Sequence, residues 1–129
     1  MIEENALNNN SLVFKISYNK FSCIFTGDIE EVAERKILEL YENSNILKST
    51  ILKVAHHGSK TSSIDLFLEE VNPQIALIGV GKDNKFGHPD RIVLSRILEK
   101  NCKIYRTDIN GEIRIVINKN GKINVKTLY

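Results

Sequence analysis

Apolar residues along the chain come in two rhythms, short dense runs and spaced stripes, and the alternation between them marks out the elements. SLVFKISY (residues 11–18) and FSCIFT (21–26) are β-branched and aromatic runs separated by Asn19-Lys20, the length of a two-residue hairpin turn. Thr26-Gly27-Asp28 ends the second run. From Ile29 onward, Val32, Ala33, Ile37, Leu40 and Tyr41 recur at three-four spacing, which predicts an amphipathic helix closed by the polar residues 42–45. Residues 50–55 predict a short buried strand and 56–61 a loop. Ile64, Phe67, Leu68 and Val71 share one face of a helix over about 63–71, which Asn72-Pro73 stops.

QIALIGV (74–80) is nearly continuous in apolar residues, as expected of a strand covered on both faces. The loop GKDNKFGHP (81–89) then leads into a helix striped by Val93, Leu94, Ile97 and Leu98, with Pro89 at its first position and Asn101 at its end. Residues 103–106, 112–118 and 122–128 predict three closing strands, the last two joined by Asn120-Gly121 in a type I′ turn. The order β-β-α-β-α-β-α-β-β-β predicts an α/β chain with one mixed sheet and helices on one face. Residues 1–10 are expected to fray and 11–129 to form a single domain. The second sheet face has no visible cover, so it calls for a partner, either further polypeptide or another copy of the chain.

Composition narrows this little. With 42% hydrophobic and 26% charged residues in 129, disorder is excluded. A net charge of +2 with both signs interspersed gives no electrostatic arm, so nucleic acid is neither required nor excluded. The longest apolar runs are too short to cross a bilayer, and the acidic, Asn-rich start is unlike a signal peptide, so the chain reads as soluble. Cys23 and Cys102 have no zinc-type spacing and read as buried thiols.

The candidate chemistry lies after strands. Asp28, His56 and His57, and His88 each follow a predicted strand, and in open α/β sheets the loops at strand carboxyl ends converge. A carboxylate with several imidazoles suits a divalent metal or acid/base work. Asp28 with Glu31 also fits a D-x-x-E capping box. In HHGS, adjacent residues at a strand end point in opposite directions, so one imidazole can face a site and the other its surroundings. Ser59, Lys60 and Thr61 offer hydroxyls and a cation near a helix start, where an anion such as phosphate could bind, or they are solvated loop residues. His88 and Asp90 fit a helix start equally well.

TGD at 26–28, LKVAHHGSKTSS at 52–63 and FGHPD at 86–90 together resemble the C-terminal half of the metallo-β-lactamase fold, in its ComEC-type competence branch and that branch's free-standing hydrolase relatives. The resemblance implies half of an αββα sandwich and a two-metal hydrolase, with zinc or manganese and a nuclease-like or phosphodiesterase activity in DNA uptake. Asp28 would bridge the metals, and one histidine of the pair, with His57 preferred, would be a ligand. His56 would then either support the ligands from behind or contact the substrate, and His88 would look towards the scissile group or its leaving oxygen. Family members carry a His-x-His-x-Asp-His cluster on an earlier strand, whereas this chain's only histidines are 56, 57 and 88. The resemblance therefore implies an incomplete site here, with metal binding weak or absent in this chain alone, and an N-terminal half that would supply the missing ligands and cover the bare face. A ComEC-type setting would place it outside the cytoplasmic membrane. The other reading is a metal-free binding or assembly module derived from the same fold.

Overall fold

A computed structural model describes all residues, 1–129. The elements run α1 (Ala6–Asn9), β1 (Phe14–Tyr18), β2 (Phe21–Phe25), α2 (Glu31–Leu40), β3 (Ile51–Lys53), a 3-10 turn (Ala55–Gly58), α3 (Asp65–Val71), β4 (Ile75–Ile78), α4 (Arg91–Glu99), β5 (Lys103–Arg106), α5 (Thr107–Asn110), β6 (Ile113–Ile117) and β7 (Ile123–Thr127). One sheet has the order β1-β2-β3-β4-β5, and β6 and β7 form a separate pair. β1 and β2 are antiparallel; the three remaining contacts in the sheet are parallel. The mixed α/β architecture is the one the hydrophobic pattern predicts.

Strand alternation divides the sheet into two apolar faces. Ile24, Leu52, Ala76 and Ile104 lie in register across four strands. They pack with Phe67, Leu68 and Val71 of α3, Val93 and Ile97 of α4, and Ile37 and Leu38 of α2, so all three helices cover one face. The neighbouring register row, Cys23, Ile51 and Ile75, points the other way and meets Ile115, Ile123 and Val125 of the β6–β7 pair. The face expected to be bare is thus partly roofed by the chain's own terminal hairpin. Between roof and sheet remains an apolar cavity of about 320 Å³ lined by residues including Ile16, Phe25, Leu77 and Ile117.

Several local expectations change. The β6–β7 turn is not type I′, which needs two residues with positive φ; Gly121 has φ +78° but Asn120 is not left-handed. Instead Gly121 N donates to Asn118 O (2.9 Å) and the Asn118 side chain accepts from Asn120 N and Lys122 N, giving a three-residue loop. Pro89 stands outside α4, whose N-cap is Asp90, with Oδ1 accepting from Ile92 N at 2.9 Å. The expected fraying segment carries the α1 turn, where buried Asn9 accepts from Glu30 N at 2.8 Å.

The α2–α3 contact rests on a buried carboxylate. α3 starts after Ile64, which has no side-chain acceptor to cap its free N–H groups. Glu34 of α2, 0% exposed, supplies the cap: Ser63 N donates to Oε1 at 2.5 Å and Ile64 N to Oε2 at 2.9 Å. Burial pushes the Glu34 carboxyl up to about 7, against the pull of those two bonds.

Candidate functional site

β2, β3 and β4 are parallel, so their carboxyl ends share one edge, and the loops that leave them carry Asp28, His56 with His57, and His88. At the first corner Gly27 has φ +56°, and a Cβ there would stand 2.6 Å from Ser11 Cβ. Only glycine lets the chain turn this close to Ser11, whose Oγ accepts from Asp28 N at 3.1 Å. The D-x-x-E capping box is not formed. Glu30 occupies the N-cap position, and Glu31 pairs with Arg35 at 2.7 Å. The Asp28 carboxylate is left half-exposed beside His57.

The second corner is conformationally unusual. His56, His57 and Gly58 have φ +48°, +55° and +81°, so the strand alternation expected to separate the imidazoles does not operate. Each left-handed non-glycine residue costs about 1–2 kcal/mol. Flanking bonds hold the turn: His56 N donates to Gly27 O (3.0 Å), Ser59 N to His56 O (2.9 Å) and Asp90 N to Gly58 O (2.8 Å). The last of these ties the His57 turn to the segment bearing His88.

The two rings, 6.4 Å apart, face different neighbours. His57 Nδ1 is 2.6 Å from Gly79 O. A carbonyl only accepts, so Nδ1 carries the proton and Nε2 keeps its lone pair. Nε2 lies 3.7 Å from Asp28 Oδ1. A backbone carbonyl that accepts from one imidazole nitrogen fixes the tautomer and leaves the other nitrogen's lone pair for a metal in metal-binding histidines; here that nitrogen stands beside the Asp28 carboxylate. His56 turns to Glu30, with Nδ1 3.4 Å from Oε1. His88 meets the His56 ring edge-on at 5.8 Å and stacks with Phe86 at 5.8 Å. Burial first, then proximity to His56 and His57, lowers the pKa of the His88 imidazole, with Asp90 opposing.

Ser59 and Thr61 are engaged internally. Their hydroxyls are 2.9 Å apart and Thr61 Oγ1 donates to Glu30 Oε1 at 3.0 Å; Lys60 is exposed. No three His, Cys, Asp or Glu side chains converge as a metal set; Asp28 and His57 stand together as a pair, 3.7 Å apart.

Several contributors were missed. Asn84 braces the β4–α4 loop, donating to Gly81 O (3.1 Å) and His88 O (2.8 Å) and accepting from His88 N at 3.0 Å. Lys53 ends β3 with Nζ donating to Val54 O at 3.0 Å. Burial lowers its ammonium pKa, with Asp28 pulling it up. A lysine closing the apolar run of a buried strand was the available signal. Glu30 stood unmarked between Asp28 and the helix.

No protein-family profile matches the chain. It is 37% identical over 107 residues, 83% of its length, to ComE operon protein 3 of Bacillus subtilis. It is 31% identical over 114 residues (88%) to competence protein ComA of Neisseria gonorrhoeae, and 32% over 108 residues (84%) to recombination protein 2 of Haemophilus influenzae. These matches occupy 13%, 16% and 13% of those proteins, so the chain spans about a seventh of the relatives' length. It is homologous to one segment of these competence and recombination proteins.

Proposed function

We propose that this chain, homologous to one segment of competence proteins, forms one corner of a metallo-β-lactamase-type centre that hydrolyses phosphodiester bonds of nucleic acid. Asp28 and His57 are its metal donors here, and His56 and His88 stand beside the reacting phosphate. The observation that carries this reading is the His57 ring, protonated towards Gly79 O at 2.6 Å and presenting Nε2 to Asp28 at 3.7 Å. Zinc or manganese bound there would acidify a water and polarise a phosphoryl oxygen. Two donors do not make a closed site, so the remaining ligands come from polypeptide other than these strand-end loops. Lys60 is the group of its loop free to meet an anion, since Ser59 and Thr61 are bonded internally. Phe86, 81% exposed and stacked on His88, offers a face to an unpaired base.

The two-donor count also favours a second reading, a metal-free binding or assembly module. Manganese titration followed by NMR separates them, because the ion broadens the protons it approaches. The hydrolytic reading expects His57 and Asp28 side-chain signals to broaden first, and Asp28→Ala or His57→Ala to weaken binding at least tenfold. Two donors bind weakly, so the broadening is expected only at millimolar manganese; signals untouched there would remove Asp28 and His57 as donors in this chain. For substrate, Phe86→Ala should weaken binding of a single-stranded oligonucleotide by about 1–3 kcal/mol, the worth of one stacked base, as read by fluorescence anisotropy; unchanged affinity would remove Phe86 from the substrate path.

A further inference from the structure

Glu30, 8% exposed, is held from two segments, the N-terminal turn and the loop after β3. Asn5 Nδ2 donates to Oε2 at 2.6 Å, and Thr61 Oγ1 donates to Oε1 at 3.0 Å. Asn9 fixes the Glu30 backbone by accepting from its N–H at 2.8 Å. A carboxylate whose two oxygens both accept hydrogen bonds, one from each side, therefore faces His56.

His56 Nδ1 is buried and has no hydrogen-bond partner, while Glu30 Oε1 stands 3.4 Å away. A lone pair on Nδ1 would be directed at carboxylate lone pairs; a proton there is attracted instead. Such contacts at reacting sites are commonly long in the unliganded protein and tighten on binding. The ring lies between the His88 and His57 rings, at 5.8 and 6.4 Å, with Nδ1 buried on the Glu30 side.

We propose that Glu30 is a positioning residue that holds His56 as the Nδ1–H tautomer and leaves Nε2 as the free lone pair, with the α1 turn bracing Glu30 through Asn5 and Asn9. Any part that His56 plays towards a phosphate rests on the hydrolytic reading above; the tautomer does not. The N-terminal turn is then part of the site's support rather than a loose end.

The test is imidazole ¹⁵N NMR on the metal-free chain at pH 8.5, comparing the unaltered protein with Glu30→Gln and Asn5→Ala. In the unaltered chain, His56 Nδ1 should resonate in the protonated range. Glu30→Gln should move it towards the unprotonated range as the tautomers mix, and Asn5→Ala should move it the same way by less. His57, held by Gly79 O, should stay put in both. An unprotonated Nδ1 in the unaltered chain, or a His56 signal indifferent to Glu30→Gln, overturns the proposal. Should Glu30→Gln fail to fold, Asn5→Ala, an exposed site, decides alone by the same shift. Because no metal is present, failure here leaves the manganese result standing, and the reverse.

Discussion

Replacing Glu34 with Ala is expected to destabilise the chain by about 2–5 kcal/mol at pH 5, lowering the melting midpoint by on the order of 10 °C. The change strips the acceptors from Ser63 N and Ile64 N, and each buried N–H left without a partner costs about 1–3 kcal/mol. The pH dependence distinguishes this site from an ordinary core position. Burial raises the folded carboxyl from its ordinary 4.5 to about 7, so the folded chain holds its proton more tightly than the unfolded one. The resulting stabilisation is fully present below about 4.5 and is lost as pH rises through about 7, an effect on the order of 3 kcal/mol. Glu30 and Asp108, whose carboxyls are lowered, act the opposite way, with stability present above the unfolded value and lost in acid, so the two windows do not overlap. Denaturant unfolding from pH 4.5 to 8 should show the unaltered chain losing stability relative to Glu34→Gln; the lowered His88 imidazole adds stability with rising pH in part of that window but is common to both proteins. The same slope in the two proteins would count against a buried titrating Glu34.

Gly58→Ala is expected to cost about 2–5 kcal/mol, combining a left-handed alanine with overpacking. At φ +81° the new Cβ would sit 2.5 Å from Pro89 Cβ and 3.1 Å from Pro89 Cα. Neither partner is the end of a flexible side chain, so two backbone segments must separate, straining the Asp90 N to Gly58 O bond of 2.8 Å. Since that bond joins the His57 turn to the His88 loop, thermal unfolding and the His56–His88 proximity in NMR should change together. Gly81→Ala is the control: its Cβ meets nothing within 4 Å and its φ is not left-handed. Equal melting midpoints for the two variants would refute the clash.

The strand and helix pattern was readable because alternation and three-four spacing are dictated by which faces the chain buries. Ile24, Leu52 and Ala76 against α3 and α4 follow directly from it. The strand-end positions of Asp28 and His57 could be read for the same reason, each lying just past an apolar run, and His88 by the loop that leaves the next one. The fate of the hairpin could not: Ile115, Ile123 and Val125 announce an apolar face, but not that it folds back over Cys23 and Ile51. Left-handed histidines were equally hidden, since local propensity disfavours them and only flanking bonds from Gly27, Ser59 and Asp90 hold them. Glu30 and Glu34 look like ordinary helix-surface acids in sequence. Their burial depends on partners, Asn5, Thr61, Ser63 and Ile64, that lie 25 to 31 positions away.

The Gly79 carbonyl that orients His57 belongs to the chain just after β4, not to the strand that carries His57. Two strands thus share the work of one ligand position: β3 delivers the His57 backbone and β4 fixes which ring nitrogen is free, so a shift of β4 along the sheet would move the tautomer's anchor without moving the histidine's own strand.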